Sequence, residues 1–522
     1  MKISNQQSAT PVLHAARQRG ARVRNLLLLV LILAAGLRFY RLDGQSFWND
    51  EGNSARIAER SLQLITEGAA GDIHPPLYYY VLHFWRDVFG SSEFALRSLS
   101  AVLGVALVWL TFLIAKRLFT PSIGLVAALI AAINPFQIYY SQEARMYMLL
   151  AVISAEATWV LIELLESWST GQPVNRSSSQ RVTLSFVIGH LSLIILYAAG
   201  LYTHYAFPFV IATHFLIVFA WAWGDRSKLI RRLIPWIGLT AAAGVLFIPW
   251  LPTAIRQITT WPSSRTAVDA GAMLLDTLRL YVLGPTFPTA DAITALLIAG
   301  FFLVVSLWNP DSFDEPQADA SHSLSHALQS GTIILWWLVP IALIFGFGLF
   351  KESYLKFLLI GSPAFCILLA RGLLTGWGIA HGALNMPREL SGHPAMNLSW
   401  SAVMALLAVL IIVPTATSLQ NYYFDPKYAR DDYRGVAQYI TSNQKSGDAV
   451  LLDSANQWEV FTYYYPDGPN VYPLPKQRPL DKATVEAQLT DVTAKYSRLF
   501  VLYWGDAEAD PQRVIEVWLD AH

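Results

Sequence analysis

Phe47-Trp48-Asn49-Asp50-Glu51, followed some twenty residues later by Asp72-Ile73-His74-Pro75-Pro76, sets three acids and a histidine among aromatic side chains between apolar stretches. A charge this close to hydrocarbon costs about 2.5 kcal/mol or more unless it is hydrated or paired, so a cluster of them marks a functional site. The runs on either side decide the fold class.

Those runs recur along the whole chain. Eleven of them, near 24–41, 96–115, 122–140, 146–166, 183–201, 205–223, 234–252, 290–308, 331–350, 355–374 and 398–418, have the ~17–25 residues a helix needs to cross a hydrocarbon core. Hydrophobic residues make up 54% of the 522 and charged residues 14%, with a mean hydropathy of +0.39. This is the composition of an integral membrane protein. Continuous rather than alternating apolar runs exclude an outer-membrane barrel. The 37 basic and 37 acidic residues cancel, and without a long block of one sign nothing points to a nucleic-acid partner. A single cysteine, Cys366, permits no internal disulfide and reads as apolar filling.

Arg17, Arg19, Arg22 and Arg24, with the loops at Lys116-Arg117, Arg181 and Arg226 to Arg232, place the N-terminal tail and those loops in the cytoplasm by the positive-inside rule. Ala34-Ala35-Gly36 resembles a signal-peptide end, but Arg38 and aromatic residues follow at once, so the first span reads as an uncleaved anchor. The expected layout is a cytoplasmic tail (1–23), a transmembrane domain (24–420) whose first outer loop (42–95) holds the acids, and a soluble extracytoplasmic domain (421–522). The loop near 309–330, with Asp311, Asp314, Glu315 and Asp319, is expected in the cytoplasm. Arg56, Arg60, Arg97, Arg145, Arg256, Arg265, Arg279, Lys351 and Lys356 fall outside, against the rule, and need another reason to be there.

From residue 421 the apolar residues fall into short groups. Tyr433 to Asn443 and Asn456 to Tyr465 read as helices, while Ala449 to Leu452 and Leu499 to Leu502 read as buried strands, so the tail is a small α/β layer. It holds no glycine-rich dinucleotide fingerprint or P-loop, and the chain ends at His522 within a helical pattern.

Asp50 and Glu51 open a helical pattern running to about Arg60. They serve either as an N-terminal cap or as chemistry, and the return of Asp72 and His74 favours chemistry. Pro75-Pro76 starts a helix from Leu77 to Phe89, rich in Tyr and Trp, that suits the headgroup level and sets His74 where a lipid-linked phosphate arrives. In Tyr140-Ser141-Gln142-Glu143-Ala144-Arg145-Met146-Tyr147, Glu143 and Arg145 lie two residues apart and do not share a helix face, so each has its own partner. Arg145 either holds a phosphate or extends to the headgroups. Tyr202-Thr203-His204-Tyr205 and Lys351 to Phe357 form two further short turns, where Lys356 is a counter-charge for phosphate and His204 is either structural or a ligand contact.

Taken in order, Phe47 to Glu51, Asp72 to Tyr79, Tyr140 to Tyr147, His204-Tyr205, and Tyr354 to Leu359 with Pro363 resemble the GT-C class of membrane glycosyltransferases. The likeness is to bacterial family 39-like proteins related to protein O-mannosyltransferases and to the transferase that adds aminoarabinose to lipid A. The resemblance implies a polytopic helical membrane protein of about eleven spans. It implies transfer of a sugar, with inversion, from a polyprenyl-phosphate donor to a lipid, glycan or protein acceptor on the outer face of the cytoplasmic membrane. Asp50 matches the catalytic aspartate of that class, Glu51 would orient it or the acceptor, and Asp72, His74, Tyr140, Glu143, Arg145, His204, Tyr205 and Lys356 fall to substrate binding. His74 stands where aminoarabinose transferases have a lysine that meets the carrier phosphate, which implies a pH-dependent contact. Lys356-Phe357 replaces an Arg-Tyr of many relatives, losing a bidentate fork and a hydroxyl.

No cofactor is expected. Asp50, Glu51, Asp72 and His74 are an oxygen-rich set that would suit Mg²⁺, Mn²⁺ or Ca²⁺ if they converged. Two rival readings are a transporter or flippase of lipid-linked sugars, which would place its charges near the midplane, and a non-catalytic assembly subunit.

Overall fold

The computed structural model describes residues 9–522 except 171–178, 261–268, 309–323, 350–351, 381–393, 467, 469, 478 and 506–508. Arg265, Lys351 and the acidic loop at Asp311 to Asp319 lie outside the described residues, as does the side chain of Arg181. The chain divides into two compact units. The first comprises Met1–Tyr40, Ala69–Tyr78 and Ser98–Tyr428, and the second Arg41–Gly68, Tyr79–Arg97 and Ala429–His522. The sequence reading set 42–95 with the transmembrane domain, whereas the structure packs most of that stretch with the tail.

Each predicted span coincides with an apolar helix. Among the described residues, Arg17–Phe39, Glu93–Leu118, Tyr147–Thr170, Arg226–Thr259, His326–Gly346, Lys356–Gly378 and Ala402–Phe424 are long and apolar enough to cross a bilayer. Val187–Thr203, Phe207–Trp223 and Ile293–Leu307 are shorter apolar helices, and Pro121–Ile133 with Pro135–Ser141 forms a pair bent by 58°. The protein is a multi-pass helical membrane protein. Within the first unit Lys356–Gly378 is central, 89% of its apolar window being buried, whereas the window of Arg17–Phe39 is only 6% buried. Lys356 thus stands at the start of the innermost helix.

The bent pair follows from Asn134-Pro135. Proline pushes the residue before it out of helical backbone, and Asn134 is extended at φ −65°, ψ 118°. Its side chain restarts the helix by accepting from the Gln137 amide at 3.0 Å and donates to the Tyr281 carbonyl at 2.8 Å. Arg38, fully buried, answers the carbonyls freed by the break, donating to Ala132 at 2.9 Å and Ala131 at 3.1 Å, with a further bond to the Ser141 hydroxyl at 3.2 Å. A cation suits a helix C-terminus, and nothing larger than Gly104 fits beside it, since an added Cβ would lie 2.7 Å from Arg38 Nε. Arg38→Met is expected to orphan both carbonyls and lower stability by about 2–6 kcal/mol. Thermal melting in detergent checks this, and an unchanged midpoint would refute the role.

The second unit carries a parallel sheet in the order β2-β1-β3, with β1 at Asp448–Asp453, β2 at Val471–Leu474 and β3 at Arg498–Tyr503. Parallel neighbours need crossovers, and the helices Trp458–Tyr464 and Lys482–Thr493 fill those connections. Leu451, Leu474, Val485, Leu489 and Ile515 form a core. The same unit contains the helix Asn49–Ala58, which carries Asp50 and Glu51.

Candidate active site

In the second unit Trp48 precedes the helix Asn49–Ala58 in extended backbone, and its own side chain makes no capping bond. Asp50 and Glu51 stand in its first turn, where the helix dipole favours negative charge. Glu51 is fully buried and locked by a bidentate bond from Arg97, Nε to Oε1 at 2.8 Å and Nη2 to Oε2 at 2.7 Å. Arg430 also donates to Glu51 Oε2. Arg97 spends its remaining donors on the carbonyls of Leu42, Gln45 and Ser46 at 2.7–3.0 Å and lies over the Phe47 ring. Such fork-to-carboxylate geometry is among the strongest pairings available to a side chain. Both Glu51 oxygens thus accept from arginines, which fixes the start of the helix. Asp50, one residue earlier, is half-buried.

The tail completes this housing. The Arg430 amide donates to Gln45 at 2.9 Å, Ser46 donates to the Asp431 carbonyl at 2.7 Å, and the Phe47 amide donates to the Tyr464 hydroxyl at 2.6 Å. A Cβ on Gly52 would fall 2.3 Å from Val460 Cβ, so the helix Trp458–Tyr464 lies directly on the one bearing Asp50. Several of the basic residues that violate the positive-inside rule are accounted for in the same way. Arg97 serves Glu51, Arg56 and Arg60 pair with Glu459, and Arg279 holds the carbonyls of Gly284, Pro285 and Phe287.

In the first unit the carbonyls leading to His74 are held by one amide. Gln257 Nε2 donates to Ala69 at 2.7 Å and to Asp72 at 2.5 Å, and Arg256 donates to Ala70 at 2.8 Å. Tyr205 donates to Gln257 Oε1 and accepts from Trp250 at 3.0 Å. The Tyr205 hydroxyl thus helps to position the His74 segment through Gln257. Burial, and then the charge of half-buried Asp72, pushes the Tyr205 phenol above its ordinary pKa, which keeps it protonated.

His74, Arg145, His204 and Lys356 gather around Tyr147. The His74 and His204 rings are 5.2 Å apart, Lys356 Nζ is 4.6 Å from the Tyr147 ring centre and the Arg145 guanidinium 6.0 Å, and Phe357 lies 4.4 Å from His204. Arg145, Glu143, His74 and His204 are buried, while Lys356 and Tyr140 are half-buried. Tyr140 packs edge-on to Tyr147 at 5.6 Å. Glu143 and Arg145 sit in a non-helical turn joined by a backbone bond of 2.8 Å. Among the described residues no three His, Cys, Asp or Glu side chains gather as a metal-binding group.

Burial, then the charges of Arg145, His204 and Lys356, hold His74 well below the ordinary histidine range. Burial, then Lys356 and Arg145, lowers His204 to about 3. Both rings are neutral at physiological pH, so the pH-sensitive contact expected at His74 is displaced far to the acid side. The sign for stability follows. Above the ordinary value of 6.5 neither state binds the proton, whereas below it the unfolded chain does and the folded one does not. Melting in detergent is expected to fall from pH 6.5 towards 4, and His204→Gln should flatten part of that slope. An equally steep slope in the variant would contradict this.

The fold is that of the GT-C membrane glycosyltransferases, as the motifs implied. Residues 73–252 match the sequence model of the family described as dolichyl-phosphate-mannose-protein mannosyltransferase. The chain is similar in structure to an oligosaccharyltransferase from Archaeoglobus fulgidus in its apo form, with a TM-score of 0.58 and 12% identity over 95% of this chain and 71% of that one. It is similar to ArnT from Cupriavidus metallidurans bound to undecaprenyl phosphate, with a TM-score of 0.51 and 15% identity over 91% and 88%. The archaeal AglB in complex with an inhibitory peptide and a dolichol-phosphate, from the same Archaeoglobus, matches at 0.58 and 12% identity over 97% and 72%. No curated protein matches the chain in sequence.

Arg97, Arg430 and Gln257 were not singled out as site residues from the sequence. The signal for Arg97 was present in its position on the wrong side of the charge rule, while Arg430 and Gln257 carried none.

Proposed function

We propose that this protein transfers a sugar from a polyprenyl-phosphate-linked donor to a glycan, lipid or protein acceptor at the outer face of the cytoplasmic membrane, inverting the anomeric centre. The observation that carries the reading is the gathering of two cations, Arg145 and Lys356, with two neutral histidines in the first unit. Cations gathered close to a bilayer mark a functional site, and a lipid-borne phosphate is the anion a bilayer supplies. The similarity to AglB and ArnT, solved with dolichol-phosphate and undecaprenyl phosphate, supports that choice.

In the proposed step the acceptor hydroxyl oxygen bonds to the anomeric carbon while the bond from that carbon to the phosphate oxygen breaks. The electron pair leaves with the phosphate, whose added charge Lys356 and Arg145 offset, and the proton passes to Asp50. Glu51 acts by position, holding Asp50 in the first helical turn. The step needs no divalent cation, since Lys356 and Arg145 supply the positive charge. The test is incubation of the detergent-solubilised protein with defined undecaprenyl-phosphate sugars and membrane acceptors. Time-dependent release of undecaprenyl phosphate with label appearing in acceptor, unaffected by EDTA, is expected. Donor translocated intact in proteoliposomes with no label transferred would favour a flippase instead.

A further inference from the structure

The span Tyr147–Thr170 is largely enclosed, with 72% of its apolar window buried. From Tyr147 to Trp168 every residue is buried or half-buried except Glu156, which is exposed. An enclosed apolar helix thus opens at a single place, and the side chain standing there is a carboxylate. At 1.5 Å per residue Glu156 lies about 14 Å in from Tyr147, close to the middle of a hydrocarbon core of about 30 Å. It makes no hydrogen bond or ion pair among the described residues.

The helical period fixes the direction in which it looks. Leu149, Val152, Val160 and Glu163 stand four or seven residues from Glu156 and share its face. Thr158 points the opposite way, to His214 Nε2 at 3.0 Å, so the polar pairing inside the bundle is turned from the carboxylate. Farther along the face of Glu156, Glu163 is met by Arg117 at 2.6 Å, and Arg117 also holds Glu166. The chain therefore answers the carboxylates near the end of this helix with a cation of its own and leaves the deeper one unanswered.

Ionisable side chains at such depth are rare and mark sites, because hydrocarbon does not solvate them. A negative group calls for a cation, and the depth limits its source. Lipid amines belong to headgroups at the surface, about 15 Å away, and lipid-borne phosphates are repelled. A second copy of the chain is a poor match, since among the described residues the Lys and Arg side chains of the spans all lie within about two turns of a span end. A cation reaches the middle of a bilayer on a transmembrane helix, where polar pairs hold neighbouring helices together. We propose that the face of Tyr147–Thr170 bearing Glu156 is the docking site for a transmembrane helix of another membrane protein, whose Lys or Arg pairs with Glu156. This surface lies apart from the cationic cluster and does not depend on the transfer reaction.

Full-length protein in liposomes would be mixed with dansyl-labelled polyleucine transmembrane peptides carrying one central lysine or none, and energy transfer from its tryptophans followed. The lysine peptide is expected to associate about tenfold more tightly than the all-leucine one. Glu156→Gln should erase that difference and Glu156→Asp should keep it. Neither variant should melt below the wild type, since no bond within the chain is lost. Equal association of the two peptides with the wild type would overturn the proposal, as would a lysine preference that survives in Glu156→Gln. Self-association of the wild type that Glu156→Gln abolishes would assign the face to a second copy and overturn it as well.

Discussion

Asp50→Asn is expected to lower sugar transfer by about 10²–10⁴-fold while leaving folding and carrier binding intact. The substitution keeps the shape of the side chain and removes its ability to take a proton. Asp50 is half-buried at the start of the helix Asn49–Ala58, where its charge interacts with the helix dipole for no more than about 1 kcal/mol, so the structural cost is small. The neighbouring acid cannot take over, because Glu51 is fully buried with both oxygens bound by arginines. Single-turnover transfer from a preloaded undecaprenyl-phosphate sugar is the measurement of choice, since it separates chemistry from binding. A rate within tenfold of wild type would remove Asp50 from the chemistry. A flippase or assembly subunit would show no such dependence on this carboxylate.

Much of the fold was legible because bilayers impose a length. An apolar run either reaches across the hydrocarbon or does not, and each predicted span coincides with an apolar helix. The helix carrying Asp50 was legible from the acids in its first turn and the one opened by Leu77 from its prolines, and β1 and β3 from continuous apolar runs. β2 was not, since Val471–Leu474 is four residues long and contains Pro473, which local propensity counts against a strand although an edge position tolerates it. The helix Lys482–Thr493 also escaped, its polar sequence showing little amphipathic period.

The candidate site divides in the same way. Residues that declare themselves locally, the acids after Trp48 and the charged turns at Arg145 and Lys356, could be read one by one. Their partners could not. Glu51 is bound by arginines 46 and 379 residues away, and the His74 segment is held by Gln257, 185 residues from Asp72. Pairings at that separation are set by tertiary packing and leave no periodic trace. The fate of the histidines was equally hidden, because burial, the largest cause of their lowered ionisation, is a property of the folded state.

Glu51→Gln should be the most disruptive single change in the second unit. The carboxylate compensates two guanidinium groups, those of Arg97, 3% exposed, and Arg430, 8% exposed. Glutamine preserves volume but removes the charge and turns an acceptor into a donor facing other donors. Stranding a buried partner in this way costs about 3–5 kcal/mol, enough to loosen the whole start of the helix. Arg430→Met should cost less, about 1–3 kcal/mol, because the bidentate pair with Arg97 survives it. Combining the two should cost less than their sum, since the second change removes one of the charges that the first leaves stranded. Thermal midpoints in detergent test this ordering, and strict additivity would show that the three charges do not act together. Transfer should fall in Arg430→Met by more than its stability loss explains, with carrier affinity unchanged, because displacing the start of the helix moves Asp50 and a shift of about 1 Å is enough to cost a hundredfold.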